Sequence, residues 1–400
     1  YIIIYKIYSM NSLKNKCCLT RPIALSLIIF LSIISGYAQN NPHIPGKQLF
    51  DYDWKFYLGD TASARLNDFD DKSWRTLDLP HDWSIEGQIH PQNQTGMAGG
   101  YFPAGVGWYR KTFKAPEEWK NKMVSIYFEG VYMNSEVFIN GNSLGVYPYG
   151  YSSFIYDLTP YLMFEKENVI AVRVDNSQHL NSRWYSGSGI YRHVWVKVAN
   201  PIQVAHWGVG ISTPEVSSKK ADVQVKTLVK NETAAPQSVV VKTRLWDSNN
   251  KPAGEKQTKA ELEANSQKEI IQTLSVSNPM LWSPEAPSLY RAQIQIIKDK
   301  QVVDDTRTNF GIRSMIFTAE NGFQLNGKTV KLNGGCVHHD NGCLGAAAFD
   351  RAEERKVELL KEAGFNAVRT SHNPPSEAFL DACDRLGLLV IDEVFDGWRE

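Results

Sequence analysis

The stretch from Val330 to Glu400 constrains the fold more than any other part of the chain. It reads as an apolar run VKLNGGCVHHD, a charged periodic stretch FDRAEERKVELLKEAGF, a short run NAVRTSH, a second periodic stretch PPSEAFLDACDRLG, and a third apolar run LLVIDEV. Strand, helix, strand, helix, strand at this spacing predicts parallel βαβ units. Each predicted strand ends in ionisable or amide residues: His338 and His339, then His372 and Asn373, then Asp392 and Glu393. In a (β/α)8 barrel such ends lie on the face where active sites are built. Neutral imidazoles and carboxylates are forked hydrogen-bond partners for vicinal hydroxyls, so the set suits a polyhydroxylated ligand. Adjacent residues on a strand point to opposite faces, so only one of His338 and His339 can reach such a pocket. That argues against a paired-histidine metal site. In the turn RTSHNPP (369–375) the two prolines stiffen the chain around His372. Pro375 is expected in the first turn of the next helix.

The preceding sequence has a different period. From about Gln48 to Asn200, short alternating runs such as VSIYFEG, SEVFINGNSLG, NVIAVRVDN and RHVWVKV predict a two-sheet sandwich of the jelly-roll kind, with a hairpin turn at Asn140–Gly141. Residues 87–107 carry much Gly and Pro and no periodicity, and read as a long loop. The segment 174–194, VDNSQHLNSRWYSGSGIYRHV, pairs amides and a carboxylate with Trp and Tyr, a mixture that suits sugar binding and also ordinary surface connections. From about Pro201 to Arg313, four further alternating strands predict a small immunoglobulin-like sandwich with a spacer role. A hairpin with Asn326–Gly327 at its turn then leads into the first barrel strand.

Composition narrows the class of partner. The chain has 400 residues, with 43 basic against 43 acidic, which gives no reason to expect nucleic acid or an anionic membrane surface. From Met10, a basic segment with Lys14, Lys16 and Arg21 precedes the apolar run IALSLIIFLSIISG. Small residues end it at Ala38, so cleavage is expected before Gln39, with export to the periplasm or the outside of the cell. Cys17 and Cys18 fall in this signal. Cys336, Cys343 and Cys383 remain, and are expected to be buried as small apolar residues rather than bridged. The expected divisions are 1–38 for upstream residues and signal, 39–200, 201–313, and 314–400 for the start of a barrel of about three strands.

At these residues the chain resembles glycoside hydrolase family 2, the group of β-galactosidases, β-glucuronidases and β-mannosidases. The resemblance is carried by LPHDWSIEG (79–87), GWYRKTF (107–113), GSGIYRHV (187–194), NFGIRS (309–314), LNGGCVHHD (332–340) and the long stretch GFNAVRTSHNPPSEAFLDACDRLGLLVIDEVFDGW. It implies a sugar-binding jelly roll, an immunoglobulin-like sandwich and a catalytic (β/α)8 barrel, in that order. It also implies a retaining exo-β-glycosidase, most simply a β-galactosidase, acting on a carbohydrate. Residue by residue, it places glycone-binding roles on His339 and His372, on Asp175 from the first sandwich, and on Asn176 beside it. Asp392 and Glu393 are then pocket-floor or structural residues. FDGWR (395–399) stands where magnesium-dependent relatives carry Glu-Thr-His, so no metal or other cofactor is expected. The family's acid/base and nucleophile, two Glu residues from later strands, are expected beyond Glu400. Asn231–Glu232 lies in the second sandwich and cannot serve as the acid/base. The other reading the residues allow is a non-catalytic carbohydrate-binding protein or an inactive fragment, and the oligomeric state is left open.

Overall fold

The first sandwich is built where alternation places one face of each strand indoors. One sheet orders the strands Lys47–Leu49, Val194–Ala199, Met123–Phe128 and Phe154–Asp157. The other orders Arg75–Leu77, Trp54–Leu58, Gly105–Lys114, Glu167–Asn176, Ser135–Ile139 and Asn142–Tyr147. The computed structural model describes residues 46–178 and 183–396. The expected export signal lies outside the described residues. Between the two sheets, Trp54, Trp83, Tyr109, Ile126, Phe128, Ile170 and Val172 form a continuous core. The Asn140–Gly141 turn has φ of 50° and 80°, the left-handed pair that a two-residue hairpin needs.

The second sandwich pairs Ile202–Val216, Lys220–Asn231 and Ser266–Ser277 against Pro252–Leu262, Gln237–Trp246, Leu289–Lys298 and Gln301–Gly311. In Lys220–Asn231 every second residue from Ala221 to Asn231 is buried, as period-2 packing on one covered face requires. One polar pair crosses this core: Thr243 Oγ1 donates to Gln272 Oε1 at 2.6 Å, and Gln272 Nε2 donates to Val241 O and Thr258 Oγ1. Such a group is tolerated indoors because its hydrogen bonds are made. Asn231 is likewise buried, and its amide is used on the carbonyls of Ala235 and Glu263.

After a small antiparallel sheet (Met315–Thr318, Gly322–Leu325, Lys328–Thr329), with its turn at Asn326–Gly327, the chain enters three parallel strands. These are Gly334–Val337, Ala367–Thr370 and Leu389–Ile391, linked by helices α1 (Asp350–Glu362) and α2 (Glu377–Leu386). Val357, Val368, Phe379, Ala382, Cys383 and Leu388 make the core between helices and sheet. Helix α2 begins at Glu377, two residues after Pro375, so the proline is not in its first turn as expected. Ser376 caps it, accepting from Phe379 N at 3.1 Å, so Pro375 lies before the cap. Gly387, with φ of 80°, ends it. The cysteines also differ from expectation. All three are free, but only Cys383 is buried, whereas Cys336 and Cys343 are exposed.

The first sandwich and the barrel segment share a polar seam. His193 sits between two carboxylates, with Nδ1 2.5 Å from Asp51 and Nε2 2.9 Å from Asp350 at the start of α1. Burial alone would lower its pKa, but the hydrogen bonds to Asp350 and Asp51 outweigh burial and raise it to about 10. Because the folded value lies above the ordinary one near 6.5, the stabilisation is complete below about pH 6.5 and is lost as pH rises through about 10. His193→Gln is therefore expected to cost on the order of 2 kcal/mol at pH 6 and much less at pH 10.5. Denaturant unfolding of both proteins at the two pH values checks it, and an equal loss at both would contradict the charged state.

Candidate active site

The barrel strands deliver their C-terminal ends to one place, and the first sandwich reaches over to meet them. His338 follows the first strand and His372 follows the second; their ring centroids are 5.7 Å apart. Trp184, from the sandwich segment before GSGIYRHV, lies over both, 5.5 Å from His338 and 5.0 Å from His372. Trp184 Nε1 donates to Tyr151 Oη at 3.1 Å, and Tyr151 Oη donates to Ser186 Oγ at 3.1 Å, which fixes the indole. Beneath His372, Nδ1 is 2.9 Å from Glu393 Oε2, and the other oxygen of Glu393 takes Arg369 Nε at 2.6 Å. Glu393 thus orients the imidazole and is itself held by a guanidinium, a carboxylate–histidine arrangement that leaves Nε2 of His372 for a ligand. Asp392 accepts from Thr370 Oγ1 at 3.0 Å. Tyr149 Oη donates to Val394 O, and Arg183 pairs with Asp396 at 3.0 Å, so the sandwich also grips the end of the third strand.

His339 points away from this cluster. It is only 8% exposed, with its ring edge-on to Tyr151 and Tyr191. Its Nε2 lies 3.0 Å from the carbonyl of Ser186, so the proton is on Nε2 and donates to that oxygen. Burial, with little to offset it, lowers its pKa to about 3, so the ring is neutral. Strand alternation separates the two histidines as expected, but it is His338, half-buried beside Trp184 and His372, that joins the cluster.

Asp175 is engaged within the first sandwich. It lies on the strand Glu167–Asn176, two residues from Arg173 and on the same face. Its oxygens take Arg173 Nη1 at 3.1 Å and the backbone and hydroxyl of Ser177 at 2.9 and 2.5 Å. Burial would raise its pKa, yet the Ser177 bonds and Arg173 hold it below the usual carboxylate range. Asn176, on the opposite face, is 3% exposed and donates to Ser188 Oγ and Gly187 O, bracing the loop that carries Trp184. Sequence reasoning missed Trp184 and His338 as the contacting pair. The signal for Trp184 was present in its composition-rich loop, but a loop's direction is not written in its composition. Among the described residues no group of three or more His, Cys, Asp or Glu side chains is placed to hold a metal ion.

Three family models match in order: "Glycosyl hydrolases family 2, sugar binding domain" over residues 53–201, "Glycosyl hydrolases family 2" over 210–313, and "Glycosyl hydrolases family 2, TIM barrel domain" over 317–395. The chain belongs to glycosyl hydrolase family 2. It is 48% identical to the beta-galactosidase BoGH2A of Bacteroides ovatus, over 88% of this chain and 41% of that protein. It is 41% identical to a putative beta-glucuronidase of Formosa agariphila, over 94% of this chain and 35% of that one. Among solved structures, a glycosyl hydrolase family 2 member from Bacteroides cellulosilyticus matches with a TM-score of 0.85 and 47% identity, covering 88% of this chain and 46% of the other. The chain thus spans less than half the length of each of these relatives. The fold this family implies, two β-sandwiches followed by the opening strands of a TIM barrel, is the fold observed.

The two histidines should separate in experiment. His339→Ala removes a fully packed ring and leaves the Ser186 carbonyl without its donor, and is expected to cost about 2–3 kcal/mol. His338→Ala, at a half-open position, is expected to cost less than about 1 kcal/mol. Denaturant titration of both variants checks it; the reverse ranking would put His339 in the pocket.

Proposed function

We propose that this chain carries the sugar-binding half of the active site of a retaining exo-β-glycosidase, with β-galactosides as the preferred substrates. The observation that carries this reading is the indole of Trp184 lying against His338 and His372 at the C-terminal ends of parallel barrel strands. An apolar ring face bounded by imidazole and carboxylate edges matches a pyranose, which has one apolar face and a belt of hydroxyls. The names of the relatives, beta-galactosidase and beta-glucuronidase, support the reaction class. The greater identity to the first supports galactose as the glycone.

On this reading Trp184 covers the glycone while His338 and His372 donate or accept at its hydroxyls. Glu393 keeps His372 oriented, and Asp175 and Asn176 hold the sandwich loop rather than the sugar. The hydrolytic carboxylates come from later barrel strands. One protonates the glycosidic oxygen while the other attacks the anomeric carbon, and water then releases the sugar with retained configuration. No cofactor is part of this scheme. The basic and apolar segment ending at Ala38 supports export, which N-terminal sequencing of the processed protein would test by a start at Gln39.

A panel of nitrophenyl glycosides on the complete gene product is the direct test. We expect release from the β-galactoside to exceed that from the β-glucuronide and β-mannoside, with the β-anomer of galactose formed first. His372→Ala should lower turnover by roughly a hundredfold or more while moving stability by less than about 1 kcal/mol. Unchanged turnover in that variant would remove His372 from the site. A protein that binds galactosides but hydrolyses none of the panel would favour a carbohydrate-binding protein instead.

A further inference from the structure

Behind the candidate pocket, three side chains converge on a small cavity and leave a nitrogen each without a protein partner. Arg192, His339 and Asn373 are 4%, 8% and 2% exposed. They line a space of about 10 Å³, together with His338, Glu353 and Lys356. The unpartnered atoms are Arg192 Nε, His339 Nδ1 and Asn373 Nδ2. Leaving a buried polar group unmade costs about 1–3 kcal/mol, so three around one cavity imply a common partner. The volume is close to the roughly 10–15 Å³ that a single water needs.

The chemistry of the lining chooses among small occupants. Arg192 Nε and the Asn373 amide can only donate. His339 Nδ1 can only accept, because its Nε2 proton goes to the Ser186 carbonyl. A water accepts two hydrogen bonds and donates two, so it answers all three and has one hydrogen left. That hydrogen meets either the Glu353 carboxylate or His338 Nδ1, which is also without a partner. A halide would face the lone pair of His339 and the carboxylate of Glu353, and a metal cation would face two N–H donors.

Arg192 has two further bonds. Nη1 donates to Tyr151 O at 3.2 Å, and Nη2 donates across to Pro374 O at 2.9 Å. It therefore holds Pro374 directly and faces Asn373 across the cavity, the two residues that follow His372. We infer that Arg192, His339 and Asn373 bind one buried water, and that Arg192 is a positioning residue, held in the first sandwich, for the turn that presents His372. The water site stands on its own geometry; the link to turnover rests on the glycosidase reading above.

The test has two arms. In a crystal structure of the complete gene product at about 1.2 Å, one water is expected within about 3.2 Å of all three nitrogens, with no anomalous peak there after a bromide soak. An empty cavity, a bromide peak, or Asn373 turned so that its oxygen takes Arg192 Nε directly would each overturn the water site. In the second arm, Arg192→Lys keeps the charge but loses Nε and the planar fork. Turnover per folded molecule is expected to fall at least roughly tenfold with KM nearly unchanged. Loss of melting temperature with unchanged turnover would reduce Arg192 to a structural residue. If the unaltered enzyme hydrolyses no glycoside, the functional reading fails, while the electron density still decides the water.

Discussion

The arrangement depends on one buried carboxylate. Asp82, in the LPHDWSIEG stretch, is 2% exposed and takes the backbone N–H groups of Ser84 at 3.0 Å, Ser188 at 2.9 Å and Ala346 at 2.8 Å, as well as the hydroxyl of Tyr185. Burial pushes its pKa above the ordinary carboxylate range, against the pull of these donors, so the site is stable only with all of them in place. Those donors come from the first sandwich, from the loop that carries Trp184, and from the segment after the first barrel strand. The approach is close enough to dictate residue type. A Cβ on Gly187 would sit 2.6 Å from Asp82 Oδ2, and one on Gly345 would also fall against it; both glycines have positive φ. Gly187 of GSGIYRHV and Gly345 of NGCLGAA are thus requirements of a single junction with LPHDWSIEG.

What the junction positions is a composite cluster of side chains. No single domain contains it: the aromatic face comes from the first sandwich, and the imidazoles and their orienting carboxylate come from barrel strand ends. On the proposed reading a sugar would meet both kinds of surface, since its ring faces and its hydroxyls call for different partners. Placing Trp184 three residues before Gly187 ties the indole to the Asp82 junction, while Arg192, five residues after Gly187, ties the same segment to the turn following His372. The loop between strands Glu167–Asn176 and Val194–Ala199 therefore couples the sandwich to the pocket at both of its ends.

Much of the fold was legible because its physical signals are local. Alternation along Lys220–Asn231, the Asn-Gly turns at residues 140 and 326, and the α1 and α2 periods each follow from a few neighbouring residues. The parallel pairing was legible from the order of elements. The site was legible in part. Strand parity shows that His338 and His339 must diverge, but parity is symmetric and cannot say which of them joins Trp184 and His372. That choice is made by Tyr151, Tyr191 and the Ser186 carbonyl, which wrap His339 from another domain. The partners of Asp175 were hidden for a related reason. A carboxylate at a strand end reads as available, yet Arg173 two residues earlier on the same face claims it. Cys336 is exposed because it alternates with Val337 on strand Gly334–Val337, whose core face carries Val337, and Cys343 is exposed in the short turn Gly342–Leu344, whereas Cys383 sits on the α2 face packed against the sheet.

Histidines at the seam and behind the strand ends respond differently to burial. At the seam, ionisable groups are driven far from their ordinary behaviour. His193 is held charged between Asp51 and Asp350, and burial raises Glu129 to about 7 and Asp381 to about 6. Charges buried with partners fix one relative arrangement of the parts and are costly to separate. Around the barrel strand ends, burial lowers the pKa of His338 and, to about 3, that of His339 packed behind it. Neutral imidazole both donates and accepts, whereas imidazolium only donates. A ring that must meet a hydroxyl in either sense is therefore better uncharged. Burial opposes charge at both places: at His193 the carboxylates on both sides overcome it, whereas around His339 the neighbours are Tyr151, Tyr191 and the Ser186 carbonyl, and burial wins.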